Sequence, residues 1–125
     1  MSALTSALLV ALGGASGALL RSGADALTAR LGIAAPIGTL VVNVGGSFAA
    51  GLVVTLIADR LLPDAARSLI VVGLLGGFTT FSAFALQLAR MGEGGELLAL
   101  IAYAVGSILL GLLAASAGVA LARAL

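Results

Sequence analysis

Four long uncharged stretches divide the chain, and short charged segments separate them. The stretches are Met1–Leu20, Leu31–Ala58, Ser68–Ala89 and Leu97–Ala122. Each reaches the roughly 18–20 residues that an α-helix needs to cross a bilayer, whereas barrel strands are about half as long and alternate in polarity. The pattern therefore predicts an all-α integral membrane protein with four transmembrane helices, formed by residues 1–125 as a single domain.

Proline and glycine predict where these helices begin and end. Pro36 is expected in the first turn of the second helix, because proline is tolerated there and disfavours helix before it. Leu-Pro-Asp at 62–64 is expected to turn into the third helix, and Met-Gly-Glu-Gly-Gly at 91–95 is expected to form a flexible loop. Met1–Leu20 is expected to remain as a membrane helix rather than be cleaved, since a signal peptide needs a basic segment before its apolar one.

Composition excludes several classes of function. The chain is 62% hydrophobic and only 9% charged, where a soluble domain has about 25% charged residues. It has no cysteine and no histidine, which excludes disulfides, histidine metal sites and histidine acid–base catalysis. The net charge is +1 and no basic cluster exists, so we expect the lipid bilayer, and no nucleic acid, as a partner. We expect no enzymatic activity.

The six arginines are balanced between the two membrane faces that four helices would define. Three lie on the side of the N-terminus, second loop and C-terminus, and three lie in the first and third loops: Arg60, Arg67 and Arg123 against Arg21, Arg30 and Arg90. The positive-inside rule orients a chain through an excess of Lys and Arg on one side, and here there is none. Either the small number is noisy, or the chain inserts in both orientations and pairs antiparallel as a homodimer.

Small residues four positions apart predict close helix packing. Such pairs let helix backbones approach each other in lipid. They are Gly13/Gly17, Gly46/Ala50, Gly73/Gly77, Ser107/Gly111 and Gly111/Ala115. They favour tight packing without indicating a particular function.

The polar residues inside the uncharged stretches are neutral. Arg21 comes closest to being a buried charge, at the end of the first stretch. Asn43 lies within the second, and its amide costs roughly 2–7 kcal/mol in hydrocarbon unless it is hydrogen-bonded. It either bonds a neighbouring helix or lines an anion path, and Thr39, four residues earlier, shares its face. Tyr103 and Ser107 form a second polar strip on the fourth helix.

The segment GGFTTFSAF, residues 76–84, interrupts the third stretch. Its two glycines and two threonines weaken a helix, so we expect the third helix to be broken near its middle. A break frees carbonyls that suit Na⁺, and the new half-helix offers N–H groups to an anion. Phe78, Phe81 and Phe84 would share a face where helix resumes. They are either ordinary packing residues or a file of positive ring edges along an anion path.

Three segments resemble the signature segments of the CrcB/Fluc fluoride channels: GGASGALLR at 13–21, PIGTLVVNVGGSFAAG at 36–51 and GGFTTFSAF at 76–84. The resemblance implies a passive fluoride-selective channel that exports toxic fluoride across the bacterial inner (plasma) membrane. It also implies an antiparallel, dual-topology homodimer with two pores and a structural Na⁺ at the dimer axis.

The resemblance also implies roles for individual residues. Asn43 corresponds to the pore amide that bonds fluoride, and Phe81 and Phe84 to the ring pair that faces it. Gly76 and Thr79 correspond to the carbonyl ligands of Na⁺. Arg21 corresponds to the vestibule arginine, and Thr80 and Ser82 correspond to polar groups of the pore or the break. Tyr103 and Ser107 fall on the polar track of the fourth helix. Thr39 is a further candidate for the fluoride pore, because it shares the face of Asn43.

Two other functions fit parts of the sequence. A small dual-topology multidrug-type transporter would need a membrane-embedded carboxylate for proton exchange, and none lies between the expected helix ends. A non-transporting membrane assembly subunit would explain the glycine pairs, but neither the GGFTTF segment nor Asn43.

Overall fold

The protein is entirely helical. The computed structural model describes all 125 residues. The helices are α1 (Ala3–Arg30), α2 (Ala35–Ala58), α3 (Arg67–Leu75 followed directly by Gly76–Phe78), α4 (Phe81–Glu93) and α5 (Leu97–Arg123). With α3 and α4 counted as one stretch, Arg67–Glu93, four helical stretches are long and apolar enough to cross a membrane. The predicted all-α architecture with four spans is confirmed.

Helix α1 is longer than the uncharged stretch predicted. It continues past Leu20 to Arg30, where Gly32 (φ +68°) ends it and the Ile33 N–H donates to the Thr28 carbonyl over 2.9 Å. Placing Arg21 in a loop was therefore wrong. Residues 21–30 contain no proline and no glycine pair, so the helix continues through them. The charged residues in this range change the surroundings that suit the helix, but they do not end it.

The other predicted helix ends are confirmed in two cases and corrected in one. Pro36 lies in the first turn of α2, and Pro63 and Asp64 form the turn before α3. Residues 91–93, however, form the last turn of α4 and not a loop. The helix ends at Glu93, and Gly95 (φ +71°) then reverses the chain so that the Glu96 N–H donates to the Met91 carbonyl over 2.9 Å.

Glycines bring α1 and α3 into backbone contact. A Cβ added at Gly13 would meet the Leu69 carbonyl, and one added at Gly17 would meet the Leu74 carbonyl. A Cβ at Gly77 would meet the Gly14 carbonyl. The predicted close packing at Gly13/Gly17 and Gly73/Gly77 is confirmed.

Helices α2 and α5 pack together in the same way. A Cβ at Gly51 would meet the Ala115 carbonyl, and one at Gly118 would meet the Phe48 carbonyl. Gly46 faces a different element, since a Cβ there would meet the Thr79 side chain. The bundle is thus two close helix pairs, with Gly46 bringing α2 against the end of α3.

Little of the molecule is shielded from its surroundings. Only 14 of 125 residues are buried, and most large apolar side chains lie on the outside. Such a surface is suited to the hydrocarbon of a bilayer, where apolar exposure has no cost.

Candidate functional site

Two residues with extended backbone separate α3 from α4. Thr79 has φ −81° and ψ 157°, and Thr80 has φ −150° and ψ 114°. We call this pair the Thr79–Thr80 segment. The preceding glycines, which were expected to weaken the helix, are both helical, and Gly76 has φ −63° and ψ −37°. The β-branched threonines, and not the glycines, carry the change in backbone direction.

The amide of Asn43 pairs with both backbone groups of Thr80. Its Nδ2 donates to the Thr80 carbonyl over 2.9 Å, and its Oδ1 accepts from the Thr80 N–H over 2.8 Å. Since the Thr80 donor and acceptor each need the opposite partner, they fix which end of the amide is which. Asn43 is therefore an interhelical hydrogen-bonding residue, with one Nδ2 hydrogen left for another acceptor.

Side chains divert two helical N–H groups from their usual carbonyls. In a continuous helix the Thr80 N–H would bond to Gly76 and the Ala83 N–H to Thr79. Here the first donates to Asn43 Oδ1, and the second donates to Thr80 Oγ1 over 3.2 Å. The carbonyls of Gly76 and Thr79, the two predicted cation ligands, are consequently left without their helical donors.

These carbonyls lie along an open groove of ≈ 370 Å³ between α2 and α3. Among the residues that line it are Asn43, Gly46, Gly76, Thr79, Thr80 and Phe81. Thr79 Oγ1 donates to the Leu75 carbonyl over 2.8 Å, which holds the hydroxyl against α3. Ser47, whose Oγ donates to the Asn43 carbonyl over 2.7 Å, lines the same groove.

A second space, which we call the polar cavity, has a volume of ≈ 200 Å³ between α1, α2 and α4. Among the residues that line it are Arg21, Asp25, Thr39, Thr80, Ala83 and Gln87. Thr80 lines both the polar cavity and the groove. The segment between α3 and α4 thus forms the wall between the two spaces.

Arg21 reaches from the polar cavity to the end of α3. Its Nε donates to the Gly77 carbonyl over 3.2 Å, and its side chain is half-buried. Nine residues of α1 follow it, or about 14 Å at 1.5 Å per residue. The only positive charge of the polar cavity therefore lies beside the Thr79–Thr80 segment and not in a loop.

A hydrogen-bonded chain of three side chains links α2, α4 and α5. Gln87 Nε2 donates to Thr39 Oγ1 over 2.8 Å, and the Tyr103 hydroxyl donates to Gln87 Oε1 over 2.6 Å. Thr39 and Tyr103 were predicted site residues, whereas Gln87 was missed. The sequence did contain a signal for Gln87, because an amide in an uncharged stretch is costly in hydrocarbon unless it is hydrogen-bonded.

Aromatic rings continue from this chain toward the molecular surface. The Phe84 and Tyr103 centroids are 5.2 Å apart with a 63° interplanar angle, and the Phe81 and Phe84 centroids are 5.7 Å apart at 58°. Phe81 is 77% exposed. Phe78 ends α3, whereas Phe81 and Phe84 lie in α4, so a single helical period does not relate the three rings.

The two predicted serines are less closely tied to these features. The Ser82 hydroxyl is exposed and lies 3.3 Å from Thr80 Oγ1. Ser107 lines neither space, and its Oγ is buried without a hydrogen-bond partner. The structure thus brings most predicted residues around Thr80 and leaves Ser107 one turn beyond Tyr103.

Comparison with known proteins places the chain in a family. Residues 8–119 match the family described as CrcB-like protein, Camphor Resistance (CrcB). The chain is 50% identical over 121 residues to the fluoride-specific ion channel FluC of Rhizobium leguminosarum bv. trifolii, covering 95% of this chain and 97% of the relative. It is 46% identical over 118 residues to FluC of Paracoccus denitrificans, covering 94% of each. It is 47% identical over 119 residues to FluC of Thermus thermophilus, covering 94% and 95%. The resemblance seen in the three sequence segments is confirmed, and the chain belongs to the CrcB family of multi-pass bacterial membrane proteins.

Proposed function

We propose that this chain forms a passive, fluoride-selective channel that lets fluoride leave the cell. The observation that carries the proposal is an unbroken series of contacting polar and aromatic side chains, none of them charged, that begins beside Arg21. It runs from the polar cavity past Thr39, Gln87 and Tyr103 to the rings of Phe84 and Phe81. The name of its relatives, fluoride-specific ion channel, supports this assignment.

The route suits a small, strongly hydrated anion. Hydroxyl and amide hydrogens replace water as donors, and the positive edges of aromatic rings add weak attraction. Because no fixed charge lies along the rings, fluoride would bind weakly enough to leave, as conduction requires. Arg21 attracts the anion into the polar cavity.

A proton-coupled transporter is a poorer fit. Asp25 lies within α1 and lines the polar cavity, but its side chain is exposed near the end of the helix. The side chains that bond along the route, Thr39, Gln87 and Tyr103, include no carboxylate. The route therefore lacks the membrane-embedded acid that proton exchange needs.

We also propose that the groove holds a structural Na⁺ through the carbonyls of Gly76 and Thr79. The donor set fits, because both oxygens have lost their helical donors and line an open groove. Bound Na⁺ would supply positive charge that stabilises these oxygens. Two carbonyls are few for a hard cation, and a second copy of the chain would double them.

A homodimer follows from the same groove. Phe81 is 77% exposed and lines it, so a second copy seated there would cover the ring and complete the cation site. Antiparallel pairing agrees with the arginine balance, three on each side. Each copy would then bring its own rings, giving two pores per dimer.

The test is ion efflux from liposomes that contain the purified protein. Fluoride and chloride electrodes record in parallel, with and without a K⁺ ionophore that carries compensating charge. A channel releases fluoride only when the ionophore is present, with little loss of chloride. Ionophore-independent release would indicate exchange, and absence of release from dimeric protein would overturn the proposal.

A further inference from the structure

We infer that Arg21 is a positioning residue that holds the Gly77 peptide group in place, and thereby sets the direction of the Gly76 carbonyl just before it and the Thr79 carbonyl two residues after it. The part of this inference that concerns Na⁺ rests on the proposed function. The part that concerns the backbone does not, and the two are tested separately below.

The contact is the last step of a continuous interface between α1 and α3. A Cβ at Gly17 would lie 2.8 Å from the Phe78 nitrogen, and one at Gly77 would lie 3.1 Å from the Ala18 nitrogen. Arg21 follows Gly17 by four residues and therefore lies on the same face of α1. Its Nε continues the contact to the Gly77 carbonyl over 3.2 Å.

Gly76 and Gly77 create the need for such an anchor. Without Cβ atoms, their peptide groups can rotate at little cost, and only Phe78 separates them from the Thr79–Thr80 segment. A hydrogen bond from a guanidinium to a carbonyl is charge-assisted and therefore strong. It fixes the Gly77 carbonyl and, by its charge, keeps that oxygen from binding a cation, so only the neighbouring carbonyls remain as ligands.

The Thr79–Thr80 segment is therefore held from both ends by different helices. Arg21 of α1 fixes the peptide before it, and Asn43 of α2 fixes the peptide groups of Thr80. Because Arg21 also lines the polar cavity, one side chain both attracts the anion and orients the groove. A substitution that keeps the charge separates these two roles.

The experiment compares Arg21→Lys and Arg21→Gln with the control Arg30→Lys. Lysine keeps the charge but places a methylene carbon where Nε stands, whereas Arg30 is in the last turn of α1 and makes no comparable contact. We measure amide hydrogen exchange of residues 76–83 in the dimer, without Na⁺ and with saturating Na⁺. Both Arg21 variants should exchange about tenfold faster without Na⁺, and the control should match wild type.

Titration with Na⁺ tests the second part. In Arg21→Lys the Na⁺ concentration that gives half-maximal protection of residues 76–83 should rise several-fold, whereas in Arg30→Lys it should match wild type. A wild-type protein insensitive to Na⁺ would remove the cation site but leave the exchange comparison standing. Unchanged exchange in both Arg21 variants would overturn the positioning role.

A measurement on the unmodified protein covers the case in which the variants do not fold. Wild-type dimer in lipid, labelled with ¹⁵N in arginine and with ¹³C in glycine carbonyls, should show a solid-state NMR correlation between Arg21 Nε and the Gly77 carbonyl. Absence of that correlation, with neighbouring glycine signals resolved, would also overturn the inference.

Discussion

The side-chain amide of Asn43 bonds to both the carbonyl and the N–H of Thr80, 37 residues away in the segment between α3 and α4, over 2.9 Å and 2.8 Å. The pairing replaces bonds that a continuous helix would have made and so stabilises the extended backbone at Thr80. One half-buried amide therefore helps to shape the groove and also retains a hydrogen for an anion.

Asn43→Asp should lower fluoride efflux by about tenfold or more, because a carboxylate cannot donate to the Thr80 carbonyl and repels an anion. Efflux from liposomes at equal protein density is the measurement. Thr55→Ala is the matched control, since Thr55 Oγ1 makes a similar bond to the Gly51 carbonyl of α2 away from the groove. Wild-type efflux in the aspartate variant would contradict a pore role for Asn43.

The two phenylalanines should respond differently to replacement by isoleucine. Phe84 packs its ring against Tyr103, so Phe84→Ile should lower the free energy of unfolding by about 0.5–1.5 kcal/mol and should also lower fluoride efflux. Phe81 is 77% exposed in one chain, so Phe81→Ile should lower efflux and leave the folding of the chain unchanged. Efflux and thermal unfolding are measured on both variants. Unaltered efflux in the double variant would reduce both rings to packing.

Much of the fold could be predicted because bilayer thickness constrains helix length. The four spans and the packing at Gly13/Gly17 follow from hydropathy and spacing. The end of α1 could not be predicted in the same way, since charges after Leu20 mark the limit of hydrocarbon and not the end of a helix. The π-helical winding of Arg67–Leu75 has no counterpart in the sequence pattern.

The sequence identified most residues of the site, but it did not identify which of them hydrogen-bond to one another. Sequence spacing placed Thr39 and Asn43 on one face, but the partners of each lie on α4 or before it. Gln87 was missed because it belongs to no local motif, and its role depends on two helices meeting it. Such contacts between distant residues are set by packing, which helical periodicity does not specify.

The bonds from Gln87 to Thr39 and Tyr103 should be energetically coupled. Tyr103→Phe leaves Gln87 Oε1 without its donor, and Gln87→Leu removes both bonds, so each should destabilise the fold by about 1–3 kcal/mol. The double variant should cost less than the sum of the two single variants. Thermal unfolding of the four proteins measures the coupling, and Ser16→Ala, whose exposed hydroxyl bonds to Leu12, is the control. Strict additivity would show that the chain of bonds does not act as a unit.

Two glycines of α1 should differ sharply when replaced by alanine. A Cβ at Gly17 would overlap the Leu74 carbonyl, so Gly17→Ala must separate α1 from α3 and should destabilise the fold by about 1–3 kcal/mol or more. A Cβ at Gly23 meets nothing within 4 Å, and Gly23→Ala should be neutral or stabilise the helix by up to about 1 kcal/mol. Thermal unfolding in detergent measures both. Equal behaviour would argue against backbone contact between α1 and α3.

Arginines added on one side of the membrane should force the chain to insert in a single orientation. Ala124→Arg with Leu125→Arg adds positive charge beside Arg123 at the exposed C-terminus, and should leave a C-terminal tag accessible from one membrane face only. Wild type and the Ala124→Gln, Leu125→Gln control should show the tag on both faces.

If the active form is antiparallel, the arginine variant alone should lose most of its fluoride efflux, because every copy faces the same way. Leu31→Arg with Leu97→Arg should bias insertion the other way. Both positions are exposed and lie on the side of the first and third loops, opposite to the C-terminus. Each biased variant should be inactive alone, and the two expressed together should recover efflux. Full activity of either variant alone would mean that the pore does not need an oppositely oriented partner.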